Sequence, residues 1–142
     1  MKNLLVLIMI LSFITSFLLA NSLELGSPAP QLEVLTDQGT TLDLGKALSV
    51  GTTMVFFYPK AMTPGCVKQA CSIRDGWDEL QSRNVNIFSV SKDTVKTHAQ
   101  FRDKYTLHFT LIADTDRQIA DAFRKPMFPQ AYLSKDATPL RR

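Results

Sequence analysis

Met54-Val55-Phe56-Phe57-Tyr58 is an unbroken apolar run stopped by Pro59. A strand with one wet face alternates apolar and polar residues, so a continuous run fits a strand covered on both faces. Such a strand lies inside a sheet that carries helices above and below it. The rest of the chain supplies the partners. Leu32 to Leu35 reads as a short strand and Asp37-Gln38-Gly39 as a turn. From Thr63 to about Gln81, Ala70, Ile73, Trp77 and Leu80 recur at helical spacing and predict one amphipathic helix. Val85 to Val90 is a second strand, and Asp93 is placed to cap a helix ending near Tyr105. Thr110 to Ala113 reads as a strand, Arg117 to Phe123 as a short helix, Ala131 to Leu133 as a strand, and Lys135 to Thr138 as a turn. Strands alternating with helices predict an α/β fold, a central sheet flanked by helices with right-handed crossovers.

Composition narrows the function. The chain has 142 residues, 45% hydrophobic and 20% charged, with a formal net charge of +3. This suits one folded domain rather than two, and excludes a disordered chain. Lys and Arg are scattered, with no block longer than two. A nucleic-acid interface, which needs a clustered basic face, has no support. Cys66 and Cys71 are the two cysteines, and His98 and His108 the two histidines. They make neither a disulfide scaffold nor a metal site, so no metal or cofactor is expected.

The first 22 residues stand outside the domain. Lys2 precedes an uncharged stretch from Leu4 to Ala20, and Ala20-Asn21-Ser22 ends it with small residues. This is the pattern of a signal peptide, with cleavage expected after Ser22 or, alternatively, after Ala20. The competing reading is an uncleaved membrane anchor, since a span takes about 20 residues. Both readings export residues 23–142 to a compartment, periplasmic or otherwise extracytoplasmic, where disulfides persist. Gly26-Ser27-Pro28-Ala29-Pro30 is a turn-rich lead-in to that domain.

Cys66 sits at the junction between the apolar strand and the following helix. Unpaired N–H groups and the helix dipole favour a thiolate there. Pro64 starts a helix without needing an amide partner, Gly65 lets backbone and ligand approach closely, and the Thr63 hydroxyl lies within reach of the sulfur. Taken by itself, a lone cysteine is better explained as a small buried packing residue.

The flanking residues decide between these readings. Pro59-Lys60-Ala61-Met62-Thr63-Pro64-Gly65-Cys66 follows P-x-x-x-T-x-x-C, and Val67-Lys68-Gln69-Ala70-Cys71 with Arg74-Asp75 continues it. The segment resembles the active-site motif of the peroxiredoxins, in the bacterioferritin-comigratory (peroxiredoxin Q) branch. Leu25-Gly26, Ala29-Pro30, Ser89-Val90-Ser91-Lys92-Asp93, Thr97-His98, Phe101 and Leu111-Ile112-Ala113-Asp114 extend the likeness from Leu25 to Phe123. The resemblance implies a thioredoxin-like fold with a mixed sheet and a thiol peroxidase of the atypical two-cysteine type. Cys66 would be the peroxidatic cysteine and Cys71 the resolving one, with an intramolecular disulfide between them. Thr63 would hydrogen-bond the peroxide oxygens, Gly65 would leave room for the substrate, and Pro59 would shield the pocket. Thioredoxin or a similar dithiol would be the reductant, and the domain a monomer or weak dimer. Residues i and i+5 of an ideal helix have Cα atoms about 8.7 Å apart. A disulfide needs less than about 7 Å. The helix must therefore unwind at its start if Cys66 and Cys71 are to bond.

Two positions depart from the family pattern. Gln69 stands where the family usually has Glu. The arginine expected just before the late strand is absent if that strand is Gln130-Ala131-Tyr132-Leu133, because Pro129 precedes it. Arg124, Arg141 or Arg142 could serve instead, and another alignment places Arg141-Arg142 near the family position. The chain also reads as short at its C-terminus relative to the family, which would leave a sheet edge uncovered. These departures keep two alternatives open: an exported binding module with impaired catalysis, and a thiol–disulfide exchange protein, which the missing C-x-x-C disfavours. His98 is expected to pack rather than to act as a base for Cys66. His108 is expected on the surface, Trp77 in the core, and Arg102, Asp103 and Lys104 on a solvated helix face.

Overall fold

The computed structural model of the chain describes residue 23 and residues 26–123, 130–133 and 139–140. The expected signal segment, the expected turn at 135–138, Pro129 and the three candidate arginines Arg124, Arg141 and Arg142 lie outside the described residues. In chain order the elements are β1 (Glu33–Thr36), β2 (Thr41–Asp43), α1 (Leu44–Ser49), β3 (Thr52–Phe57), α2 (Pro64–Asp75) and α3 (Trp77–Ser82). These are followed by β4 (Val85–Ser91), α4 (Val95–Tyr105), β5 (Thr110–Ala113), α5 (Gln118–Ala122), β6 (Gln130–Leu133) and β7 (Pro139–Leu140).

The described strands form one mixed sheet in the order β2-β1-β5-β4-β3-β6-β7. The inner three, β5, β4 and β3, run parallel. β1 and β6 flank them antiparallel, and β2 and β7 close the two edges. β3 lies inside the sheet, as its sequence demands, and its side chains divide between two cores. Met54, Phe56 and Tyr58 face one side with Cys66, Ala70, Phe101, Leu107, Phe109 and Leu111. Val55 and Phe57 face the other with Val34, Leu44, Leu48, Val90, Ile112, Ile119 and Phe123. The unbroken run thus reflects burial on both faces.

Three local readings need correction. The helix expected from Thr63 to Gln81 is two helices, broken at Gly76, whose φ of −91° and ψ of 11° leave helical geometry. The apolar stripe survives the break, because Ile73, Trp77 and Leu80 all pack on the edge of the core that holds Cys66. Periodicity reports which face is buried, and a glycine can interrupt the axis without disturbing that face. Trp77 is half-buried, and its ring meets that of the exposed His108 at 6.0 Å. Secondly, α4 is capped by Thr94, whose hydroxyl accepts from Thr97 N at 3.2 Å, and not by Asp93. Asp93 is engaged elsewhere. Thirdly, Arg102 does not lie on a solvated face with the exposed Asp103 and Lys104. Its Nη1 lies 2.5 Å from the Asp37 carboxylate, and its Nη2 donates to Asp37 at 2.9 Å and to the Phe109 carbonyl at 3.0 Å. Asp37, read only as a turn residue, is buried and also accepts from Leu111 N at 3.1 Å. The pair ties the turn after β1 to α4 and β5.

Candidate active site

α2 opens as the motif predicts. Thr63 is the N-cap in extended geometry (φ −79°, ψ 146°), and Pro64 occupies the first turn. The Thr63 carbonyl accepts the Val67 N–H at 2.9 Å. Cys66 follows within that first turn, 6% exposed, in the core cluster with Tyr58, Ala61 and Ala70. Cys66 and Cys71 are both free thiols, Cys66 buried and Cys71 partly exposed. Both lie on the one continuous helix from Pro64 to Asp75. The ideal-helix separation of about 8.7 Å therefore applies, and the two sulfurs cannot bond while α2 is intact.

Thr63 is tied to its own loop. Its hydroxyl donates to the Lys60 carbonyl at 3.0 Å and so is not spent on the sulfur. A hydroxyl has one proton and two lone pairs, so this bond fixes the rotor and leaves acceptor capacity. Pro59 is exposed, while Tyr58 before it and Ala61 two residues after it are buried in the core cluster that holds Cys66. At Gly65 an added Cβ would meet no atom within 4 Å, so the glycine leaves open space rather than relieving a backbone contact. Tyr58 stacks on Phe56 at 5.2 Å and meets Phe101 and His98 at 6.0 and 6.1 Å. Burial pushes its phenol well above the usual range, so it stays protonated.

Behind the loop that joins β3 to α2 lies a polar cluster of residues that the family likeness named without showing that they meet. Asp93 accepts from Ala61 N at 2.6 Å and from Ser91 Oγ at 2.7 Å. Ser91 Oγ is 2.8 Å from His98 Nε2 and accepts from Asp93 N at 3.2 Å. His98 is fully buried, consistent with a packing role, but it is packed on a hydrogen bond as well as on apolar atoms. A second missed residue is Arg74, which donates from Nη1 to the Tyr105 carbonyl at 2.8 Å and pairs with Asp75 at 2.7 Å. The motif likeness included the Arg74-Asp75 pair, three residues after Cys71, but not the bond to Tyr105.

Burial holds the His98 imidazole below its ordinary value, against the opposing pull of Asp93 and Asp37. The unfolded chain therefore binds this proton more tightly than the folded one. The His98 contribution to stability is complete above about pH 6.5 and is lost as pH falls through the folded value. Thermal unfolding followed between pH 7.5 and 5 is expected to show this loss, with a slope of at most about 1.4 kcal/mol per pH unit for one proton. His98→Gln should flatten that part of the profile. An unchanged profile in the variant would assign the slope to other groups.

The register of β6 bears on where the arginine of the family pattern would stand. Gln130 pairs with Phe57 and Leu133 with Met54, so β6 begins beside the end of β3 that leads to Cys66. Pro139–Leu140 pairs on the far side of β6. The late strand beside β3 is thus Gln130–Leu133, and the residue before it in sequence is Pro129. Among the described residues, no cluster of His, Cys, Asp and Glu could hold a metal ion, and no helix is long and apolar enough to cross a membrane.

Comparison with known proteins gives these features a family. The AhpC/TSA family matches residues 25–135.

The chain belongs to the AhpC/TSA family.

Among its relatives, the putative peroxiredoxin bcp of Coxiella burnetii is 41% identical over 102 residues, covering 72% of this chain and 67% of that protein. Peroxiredoxin Bcp of Escherichia coli is 38% identical over 103 residues, covering 72% and 65%. Peroxiredoxin Bcp of Bacillus subtilis is 37% identical over 106 residues, covering 72% and 64%. The chain spans about two thirds of the length of these relatives. Among solved structures, the bacterioferritin comigratory protein of Xanthomonas campestris superposes with a TM-score of 0.71 at 26% identity, covering 84% of this chain and 83% of that one. Peroxidoxin BcpB of Mycobacterium tuberculosis does so with a TM-score of 0.70 at 28% identity, covering 83% of each chain. The fold is therefore the thioredoxin-like fold of the peroxiredoxins, in its bacterioferritin-comigratory branch.

Proposed function

We propose that this chain is a thiol-dependent peroxidase that reduces hydrogen peroxide or an organic hydroperoxide at Cys66. The observation that carries the reading is Cys66 itself. It is buried in the first turn of α2 behind an extended Thr63 cap, in a chain whose relatives are named peroxiredoxins. The Xanthomonas protein is described by its alkyl peroxide reduction activity, which suits an apolar wall of the kind formed here by Tyr58, Ala61 and Ala70.

In this mechanism the Cys66 thiolate attacks one peroxide oxygen, the O–O bond breaks, and the second oxygen leaves as water or an alcohol after taking a proton. Cys66 becomes a sulfenic acid. The lone pairs of Thr63 Oγ1, oriented by its bond to Lys60, accept from the peroxide O–H. The first turns of α2 then unwind, the Cys71 thiolate attacks the Cys66 sulfur, an S–S bond forms and water leaves. An external dithiol such as thioredoxin takes up the disulfide and returns both thiols. The uncharged segment from Leu4 to Ala20 supports an exported domain, released or tethered, so the reductant would act outside the cytoplasm.

The second reading, a binding module with impaired catalysis, is favoured by one observation. Pro129 precedes the strand beside β3, where the family pattern calls for a guanidinium. Such a charge stabilises the developing transition state, and loss of one donor of this kind costs about 100- to 1,000-fold in rate. Stopped-flow oxidation of the reduced domain with near-stoichiometric hydrogen peroxide separates the two. Loss of the Cys66 thiol orders of magnitude faster than for a free thiol is the expected result. Oxidation at the free-thiol rate would move the binding-module reading to the front.

A further inference from the structure

The loop from Pro59 to Thr63 fixes where α2 begins, and two features make its shape costly to hold. Met62 is a non-glycine residue in the left-handed region, at φ 64°. Such a conformation costs on the order of 1 kcal/mol and persists only where its surroundings enforce it. Ala61 is buried, 2% exposed, so its amide needs a partner inside the protein. That partner comes from 32 residues further along the chain: Asp93 Oδ2 accepts the Ala61 N–H at 2.6 Å.

Proton counting shows how Asp93 is itself held. Ser91 Oγ carries one proton and lies 2.7 Å from Asp93 Oδ2 and 2.8 Å from His98 Nε2. The carboxylate can only accept, so the Ser91 proton goes to Asp93. His98 must then donate from Nε2, which leaves Nδ1 as a bare acceptor. Nδ1 is indeed the ring nitrogen that has no partner among the described residues. The chain of donors therefore runs one way, from His98 to Ser91 to Asp93, and meets the Ala61 amide at the same oxygen. Ser91 and His98 are both buried, at 4% and 0% exposure, which keeps the carboxylate from swinging to water.

We propose that Asp93 is a positioning residue for the peroxidatic centre, clamping the β3–α2 loop through the Ala61 amide so that Thr63 and Cys66 are presented in reactive geometry. The clamp acts on the loop upstream of the turns that must unwind to bring Cys66 to Cys71. It can therefore stay closed while the far side of Cys66 opens. The proposal rests on the peroxidase reading only for its rate readout.

The test has two arms. In the parent protein, the Ala61 amide should be protected from hydrogen exchange and shifted downfield in its proton resonance, as a short bond to a carboxylate requires. Asp93→Ala should abolish both. It should also lower the second-order rate of Cys66 oxidation by peroxide about 10- to 100-fold, as displacement of a reacting group does, measured well below the unfolding temperature. Asp93→Asn keeps an acceptor oxygen for Ala61 and should recover the rate to within about threefold. A general loss of stability would not be rescued in rate alone by the amide. The proposal is overturned by an unprotected Ala61 amide in the parent, by a folded Asp93→Ala variant that reacts at the parental rate, or by an Asp93→Asn variant as slow as the alanine one. If the parent itself reacts no faster than a free thiol, the peroxidase reading fails, and the Ala61 amide still decides the clamp.

Discussion

Cys66→Ser is expected to abolish peroxide turnover outright, whereas Cys71→Ser should leave one oxidation per molecule and stop there. The difference follows from position on one helix. Cys66 lies in the first turn of α2 and is buried in the core cluster that also holds Tyr58 and Ala61. Serine cannot be oxidised, so no other residue takes over the step. Cys71 is partly exposed and five positions further on, too distant to bond in the intact helix. Its loss should leave the first oxidation rate within about twofold of the parent and let the sulfenic acid accumulate. Single-turnover mixing with peroxide and trapping of the sulfenic acid with a carbon nucleophile check both. If Cys71→Ser recycles with a dithiol as fast as the parent, the two-cysteine mechanism is wrong. If Cys66→Ser still turns over, the site has been misassigned.

The second large effect concerns stability. Asp37→Ala is expected to destabilise the fold by about 3 kcal/mol, the lower end of what breaking a buried pair costs, because Arg102 keeps some access to water. The Arg102 side chain is 21% exposed and that of Asp37 1%. The substitution also strips an acceptor from the buried Leu111 amide. For a domain of this size the unfolding temperature should fall by on the order of 10 °C. Thermal denaturation of the two proteins under identical salt decides it. A fall of only a degree or two would mean that solvent screens the pair and that the turn after β1 is held by its backbone bonds.

How far the residues foretold the structure varies with the kind of signal. Met54 to Tyr58 announced a strand buried on two faces, and β3 divides that run between two cores. Thr110 to Ala113 was legible for the same reason. The helix from Thr63 to Gln81 was legible as a face but not as an axis, since Gly76 breaks it while Ile73, Trp77 and Leu80 stay on one core. β2 and α1 went unread. Three- and six-residue elements carry too few periods to stand out, and α1 depends on Asp43 accepting the Lys46 amide at 3.0 Å. Arg102 was misread because a charge followed by Asp103 and Lys104 looks solvated until Asp37, 65 residues away, is folded against it.

At the site the division is similar. Thr63, Pro64, Gly65 and Cys66 are adjacent in sequence, so their placement at a helix start follows from local backbone preferences that the residues carry themselves. The sequence by itself therefore determined the central strand, the cysteine at the start of the helix, the spacing that forbids a Cys66–Cys71 bond in an intact helix, and the family likeness. Only the tertiary structure decided that Pro59 is exposed and that Asp93 abandons its helix to hold Ala61. It also decided that β6 begins beside the end of β3 that leads to Cys66. The physical reason is range. Capping, turn and helical preferences act over a few residues and are written in them. A hydrogen bond between residues 32 apart, or a strand register, exists only once the sheet has brought the partners together.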